Sequence, residues 1–175
     1  LVATGGREVS VIARGAHLAA IRDRGLTVHA ADGHHHARLR ATSDPAELGA
    51  QNAVFVTVKA PALPEVARGI GPLLGPDTPV CFVMNGIPWW YFQGLPGPHA
   101  DRSLPRIDPD DALKRALGPG RALGGVVYSA SEVTEPGTIH VEQPKSRFIL
   151  GEPSEAPSNR VQALADLISA DRKST

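Results

Sequence analysis

Cysteine and methionine are nearly absent from this chain, which has one of each among its 175 residues. A single cysteine cannot form a disulfide within the chain, so a small disulfide-stapled fold is not predicted. Cys81 lies in the apolar run Pro79–Met84, and we predict a buried, unreactive thiol there. No apolar run approaches the roughly 20 residues that a membrane helix requires. These absences favour a cytoplasmic protein with no membrane partner.

An excess of charge of either sign is also missing. Eighteen Lys and Arg residues balance eighteen Asp and Glu residues, so the formal net charge is zero. Nucleic-acid-binding proteins usually carry a basic excess, and this class of function is therefore not favoured. The length and the hydrophobic content of 42% suit a single globular domain with a buried core.

The apolar pattern predicts alternating strands and helices. Short apolar runs at 54–58 and 79–84 are typical of buried parallel strands. The alternation predicts an α/β fold with a doubly wound parallel sheet, and the last two strands should form a small antiparallel extension. Residues 93–110 should form a long loop. The predicted strands are 8–13, 26–30, 37–42, 54–58, 79–84, 122–131, 138–141 and 147–150, and the predicted helices are 16–25, 61–70, 111–117 and 159–170.

Arg14, Lys59 and Asn85 are the first polar residues after three predicted buried strands. Ligands of doubly wound sheets bind beyond the carboxyl ends of the strands, and this rule selects these residues as a candidate site. Arg14 could pair with the 2′-phosphate of NADP, Lys59 could offer a positive charge to a phosphate, and Asn85 offers both a donor and an acceptor. The alternatives are a solvated arginine, a lysine that ends a strand and an ordinary Asn-Gly turn.

Two other features attract functional interpretations. Consecutive histidines at His34–His36 suggest a metal site, but neighbouring residues point in different directions, so we predict a solvated turn and no metal. The aromatic run Trp89–Phe92 could line a substrate pocket, pack between domains or simply pack in the interior.

Four segments together resemble one known family. They are Val9–Leu18 (VSVIARGAHL), Val54–Leu63 (VFVTVKAPAL), Phe82–Gly86 (FVMNG) and Gly124–Gly137 (GGVVYSASEVTEPG). In this order and spacing they are similar to ketopantoate reductases, also called 2-dehydropantoate 2-reductases. The resemblance covers nearly the whole chain except the loop at 93–110.

The resemblance implies a Rossmann-like domain that binds NADP(H). Enzymes of this family use NADPH to reduce ketopantoate, a small 2-keto acid, to pantoate on the route to pantothenate and coenzyme A. It implies that Arg14 meets the 2′-phosphate, that Lys59 lies beside the cofactor and that Asn85 lies near the nicotinamide and the substrate. Ser131 falls where the family's backbone contacts the nicotinamide end. The resemblance is also compatible with a homodimer of the full-length enzyme.

The sequence departs from the family at both ends. The family begins with a strand and a G-x-G-x-x-G loop, whereas Leu1–Gly6 resembles the end of a helix, so we expect the first strand to be missing. The family's catalytic lysine and glutamate belong to a C-terminal helical domain, which should begin near Thr175. We therefore expect residues 1–175 to be an incomplete NADP-binding domain that holds no catalytic residue and is inactive alone. The alternatives are a related NADP-dependent reductase of another 2-keto acid and a non-catalytic cofactor-binding module.

Overall fold

The computed structural model of the chain describes residues 6–143, 145–154 and 156–169. The predicted helix end at residues 1–5 lies outside this part of the chain, and so does Ala170 at the end of the last predicted helix. The chain divides into two compact units. The first comprises Leu1–Leu48, Tyr128–Arg147 and Leu164–Thr175, and the second comprises Gly49–Val127 and Phe148–Ala163.

The described part of the first unit contains two sheets and one α-helix that lies wholly within it. The elements are β1 (Ser10–Ile12), α1 (Gly15–Arg24), β2 (Leu26–Ala30), β3 (Gly33–Ala37), β4 (Arg40–Thr42), β8 (Ser131–Glu135) and β9 (Thr138–Val141). Strands β1 and β4 pair in parallel, with Val11 opposite Ala41. The second sheet has the order β3-β2-β9-β8, in which β2 is antiparallel to β3 and parallel to β9.

Helix α1 supplies the core of the first unit. Leu18 and Ile21 lie one turn apart on its buried face and pack with Ala41 of β4, while Val11, Ala13, Leu26 and Leu39 surround them. The helix ends at Gly25, whose φ of +87° lies in the region that glycine tolerates best. A side chain there would also meet the Ala37 carbonyl oxygen at 2.7 Å. The predicted helix and its glycine stop are therefore confirmed.

The second unit is built on a four-stranded sheet with the order β10-β7-β6-β5. Strands β5, β6 and β7 are mutually parallel, and α2 and α3 form the crossovers between them. Connections of this strand-helix-strand kind are the repeating unit of α/β folds. The elements are β5 (Val54–Val56), α2 (Leu63–Gly69), β6 (Val80–Val83), α3 (Ala112–Leu117), β7 (Ala122–Tyr128), β10 (Arg147–Gly151) and the first part of α4 (Asn159–Ser169).

Strand β6 forms the centre of this unit. Val80, Cys81 and Phe82 are at most 1% exposed, which explains the continuous apolar run in the sequence. Burial raises the pKa of the Cys81 thiol to about 12, so the thiolate form is suppressed at neutral pH. The predicted burial of the cysteine is thus confirmed.

An ion pair fixes the start of α4 in the second unit. Arg160 donates through its Nε to Oε1 of Glu152 at 2.6 Å and also donates to the carbonyl oxygen of Gly120. Ser158 donates its hydroxyl to the same carboxylate. The hydrogen bond from Arg160 is the main reason that the pKa of Glu152 lies below its ordinary value.

A buried aspartate organises the segment before α3. Asp108 is 3% exposed, and its carboxylate accepts hydrogen bonds from the backbone N–H groups of Leu113 and Lys114 at 2.8 and 3.1 Å. These N–H groups belong to the first turn of α3, where no carbonyl of the helix can satisfy them. The predicted long loop thus ends in a helix cap.

The predicted parallel α/β class is confirmed, but several strand assignments are wrong. The predicted strand 122–131 is two strands, β7 and β8, because the chain leaves the sheet that contains β7 at Ser129 and Ala130. The predicted strand 37–42 is likewise divided between β3 and β4. Segments 138–141 and 147–150 do not pair with each other, since β9 lies between β2 and β8 whereas β10 lies beside β7. Strand β9 pairs antiparallel with β8 instead, and the Pro136-Gly137 turn joins the two strands.

None of the helices within the described part of the chain is long and apolar enough to cross a membrane.

Gly125 of β7 should be essential for packing in the second unit. A Cβ atom there would lie 2.8 Å from the Phe148 ring and 3.0 Å from the Cys81 sulfur, whereas one at neighbouring Gly124 would meet nothing closer than 3.7 Å. We expect Gly125→Ala to lower the free energy of unfolding by about 1–3 kcal/mol through overpacking. Gly124→Ala, the matched control, should change it by less than about 1 kcal/mol. Denaturant unfolding measures both, and equal stabilities of the two variants would contradict this packing.

The Glu152–Arg160 pair should give the second unit a specific sensitivity to acid. Because the folded-state pKa of Glu152 is lowered, its contribution to stability is complete above its ordinary pKa of 4.5 and is lost as the pH falls through the lowered value. We expect Glu152→Gln to reduce the stability difference between pH 7 and pH 3 in thermal unfolding. Glu47→Gln, at an exposed pair 4.0 Å from Arg22, is the control and should leave that difference unchanged. The same pH dependence in the wild type and Glu152→Gln would refute this assignment.

Candidate functional site

Two neighbouring parallel strands of the second unit end at the same edge of the sheet. Val56 of β5 is paired with Phe82 of β6. Lys59 follows Val56 by three residues, and Asn85 follows Phe82 by three residues. The register thus carries both polar residues beyond the carboxyl edge of the sheet, where ligands of open α/β sheets bind.

Lys59 is exposed and lies at the start of a short 3₁₀ turn, Ala60–Ala62, that leads into α2. Strand β5 ends earlier than predicted, at Val56, and both Thr57 and Val58 are exposed. Lys59 is therefore displaced from the strand end by two residues. Its ammonium group is a point charge on a flexible stem and can bind an anion such as a phosphate.

Asn85 is exposed and lies in the bend that follows β6. The adjacent Gly86 has a φ of +107°, a conformation that favours glycine. The bend leaves the Asn85 amide exposed, with one acceptor and two donors. An amide in this position can bind a carbonyl, a hydroxyl or a ribose.

The aromatic residues after Asn85 separate into two classes. Trp89 and Trp90 are 3% and 6% exposed and contact the Phe82 ring, with centroid distances of 6.0 and 5.1 Å. Tyr91, in contrast, is 51% exposed. Interior packing is therefore the correct interpretation for the two tryptophans. The buried Trp89 Nε1 has no hydrogen-bond partner within the described residues, a feature that no sequence pattern could reveal.

Arg14 lies in the first unit, between β1 and α1. It is exposed, its backbone is extended (φ −140°, ψ 165°), and it occupies the N-cap position of α1 without a side-chain cap. The first turn of α1 contains no acidic residue. A guanidinium and the N–H groups at a helix start both attract anions, phosphate among them.

Ser131 lies elsewhere in the first unit. It is the first residue of β8, is exposed and is paired with Val141 of β9. The structure therefore brings Lys59 and Asn85 to one sheet edge of the second unit. Arg14 and Ser131 belong to the first unit, where Arg14 follows β1 of one sheet and Ser131 begins β8 of the other.

The three consecutive histidines do not form the predicted turn. They lie in strand β3, because the tight connection at Ala31 and Asp32 lets His34 pair with His29 of β2. His35 contacts Asp32, with 3.0 Å between Nε2 and Oδ1, and His36 contacts Thr27. Across the residues that the structure describes, no group of three or more His, Cys, Asp or Glu side chains is arranged to hold a metal ion.

The family model for ketopantoate reductase PanE/ApbA matches residues 1–155 of this sequence. The chain belongs to the ketopantoate reductase family. A 2-dehydropantoate 2-reductase from Mesorhizobium japonicum is 44% identical over 167 residues, which are 95% of this chain and 51% of that protein. The family resemblance seen in the four sequence segments is thus confirmed.

Solved structures agree with this assignment. A structure from Ralstonia solanacearum, described as a ketopantoate reductase, superposes with a TM-score of 0.89 at 41% identity and covers 96% of this chain and 52% of that one. The 2-dehydropantoate 2-reductase from Porphyromonas gingivalis gives a TM-score of 0.73 at 27% identity over 93% of this chain and 50% of that one. The chain therefore has the α/β fold of these enzymes and spans about half their length.

Proposed function

We propose that this chain is the cofactor-binding half of an enzyme that reduces 2-dehydropantoate (ketopantoate) to pantoate with NADPH. The observation that carries the proposal is the placement of Lys59 and Asn85 at equal offsets beyond two paired parallel strands. Membership of the ketopantoate reductase family and the name of the 44% identical relative support the choice of substrate. A cytoplasmic location and a homodimer of the full-length enzyme remain predictions.

The residues present fit a phosphorylated dinucleotide. Arg14 would supply a guanidinium at the start of α1. This position, after β1 of this chain, corresponds to the end of the second strand of dinucleotide-binding folds, where an arginine accommodates the 2′-phosphate of NADP. Lys59 would hold a negatively charged or polar part of the cofactor at the sheet edge. Asn85 would orient the nicotinamide ribose or the substrate, and the Ser131 backbone would contact the nicotinamide end.

A bound nicotinamide supplies a hydride to the ketone carbon of the substrate. The four candidate residues of this chain would bind and orient the cofactor and the substrate. None of them is proposed to transfer a proton. We propose that the proton donor, which stabilises the developing alkoxide, is a lysine outside this sequence. The glycine-rich loop that binds the pyrophosphate is proposed to lie outside it as well. On this proposal residues 1–175 form an incomplete NADP-binding domain and are inactive alone.

The substrate proposal is tested with the full-length natural protein that contains this chain. We expect ketopantoate-dependent oxidation of NADPH, followed by absorbance. Asn85→Ala should lower kcat/KM by about 10- to 100-fold, since a lost hydrogen bond to a charged or strongly polar group costs about 1.5–3 kcal/mol. Asn52→Ala, at another exposed asparagine of the second unit, is the control and should retain full activity. Turnover of a different 2-keto acid in preference to ketopantoate would replace the proposed substrate.

The cofactor proposal is tested separately through Arg14. Arg14→Ala should weaken NADPH binding by about 10- to 100-fold and leave NADH binding nearly unchanged, because only NADPH carries the 2′-phosphate. Arg38→Ala, which alters another exposed arginine of the first unit, should affect neither cofactor. Calorimetric titration of the wild type and both variants with each cofactor measures the six dissociation constants. An equal loss of affinity for both cofactors would show that Arg14 does not read the 2′-phosphate.

A further inference from the structure

The first turn of α1 is intrinsically weak, although it carries part of the proposed cofactor site. Arg14 occupies the N-cap position without a side-chain cap, and the first turn contains no acidic residue to offset the partial positive charge of a helix start. Gly15, the first helical residue, has a φ of +54°, and glycine loses more backbone entropy on ordering than any other residue. Helix ends fray, so contacts from elsewhere in the first unit are needed to hold this turn.

The turn between β8 and β9 lies along the same helix. Thr27, which follows α1, donates its backbone N–H to the Gly137 carbonyl oxygen at 2.9 Å, and the Arg24 guanidinium donates to the Pro136 carbonyl oxygen at 3.1 Å. A Cβ atom on Gly137 would lie 3.1 Å from the Ala20 Cβ. These three contacts hold the β8-β9 turn against the middle and the end of α1, and none of them reaches the first turn of the helix.

His17 makes the contact at the first turn, three residues after Arg14. The half-buried His17 ring accepts a hydrogen bond at Nδ1 from the Gly137 backbone N–H, with 3.0 Å between the two nitrogens. Gly137 is buried and lies between the paired residues Glu135 and Thr138, so the strand ladder does not use this N–H. A buried N–H without an acceptor destabilises the fold, and the bond to His17 therefore secures the hairpin and the helix start together.

The donor in this bond determines the chemical form of the imidazole. A backbone N–H can only donate, so Nδ1 must present its lone pair, and the proton of the neutral ring lies on Nε2. Asparagine carries its carbonyl oxygen one bond beyond Cγ, as histidine carries Nδ1, whereas alanine offers no side-chain acceptor. Substitution of His17 by these two residues therefore separates the loss of the hydrogen bond from the loss of the ring.

We propose that His17 is a positioning residue of the cofactor site. Its hydrogen bond with Gly137 holds the first turn of α1 against the β8-β9 turn and so places Arg14 for the 2′-phosphate of NADPH. This role rests on the proposed function, and His17 acts through Arg14 without contacting the cofactor. Because NADH has no 2′-phosphate, loss of the hydrogen bond weakens the binding of NADPH selectively.

Calorimetric titration of the full-length natural protein with NADPH and NADH tests this role. His17→Ala should weaken NADPH binding by about 3- to 10-fold, the range that one net hydrogen bond supports, and should leave NADH binding nearly unchanged. His17→Asn keeps an acceptor and should bind NADPH within about twofold of the wild type. Arg24→Ala is the matched control, since it removes a bond to the same turn at the far end of α1, and it should also stay within about twofold.

Nuclear magnetic resonance of the free protein provides a readout that general destabilisation would not reproduce. At about pH 8, where imidazole is neutral, the ¹⁵N spectrum of the wild type should show His17 with its proton on Nε2, and this measurement requires no variant. The Gly137 amide hydrogen should exchange slowly with solvent in the wild type and in His17→Asn, and faster in His17→Ala.

Each part of the inference can fail separately. NADPH affinity that is equal in the wild type and His17→Ala would overturn the positioning role, and so would an equal loss in His17→Asn or Arg24→Ala. A His17 proton on Nδ1, or Gly137 exchange that is the same in His17→Ala as in the wild type, would overturn the hydrogen bond itself. A wild-type protein that binds neither cofactor would refute the proposed function, and the role of His17 with it.

Discussion

The parallel pairing of β5 with β6 is the constraint on which the candidate site depends. It aligns Val56 with Phe82 and so determines where Lys59 and Asn85 leave the sheet. A slip by one residue would move every side chain of the strand to the opposite face, and Phe82, which is 1% exposed, would then point out of the core. The contacts of Phe82 with Trp89 and Trp90 reinforce this register.

Close packing beside β6 holds that register in place. Gly125 of β7 leaves room for the Phe148 ring and the Cys81 sulfur, so β10 can lie directly against β7. The Glu152 carboxylate then binds Arg160 at the start of α4, and Arg160 reaches the Gly120 carbonyl just before β7. The apolar centre and its polar periphery therefore stabilise the same strand order.

The first unit is built differently, from two separate sheets and a helix that packs on one of them. Its helix α1 packs on the parallel pair β1-β4, while β2 connects the hairpin β2-β3 to β9. The chain returns beside α1, where the Gly137 N–H donates to His17 Nδ1 at 3.0 Å and a Cβ on Gly137 would meet Ala20 at 3.1 Å. Glycine is required there by this close approach. The same return places β9 beside β2 and so brings His140 next to His29.

The amino-acid sequence by itself determined the family, the α/β class and the helix-forming segments, because each depends on local apolar periodicity, turn residues and short motifs. It also selected Lys59 and Asn85, since the end of an apolar run marks the end of a buried strand. It misassigned the partners of segments 138–141 and 147–150, because strand pairing depends on packing between residues far apart in the chain. For the same reason only the tertiary structure could place His29, His34 and His140 on one face, or bury the Trp89 N–H without a described partner.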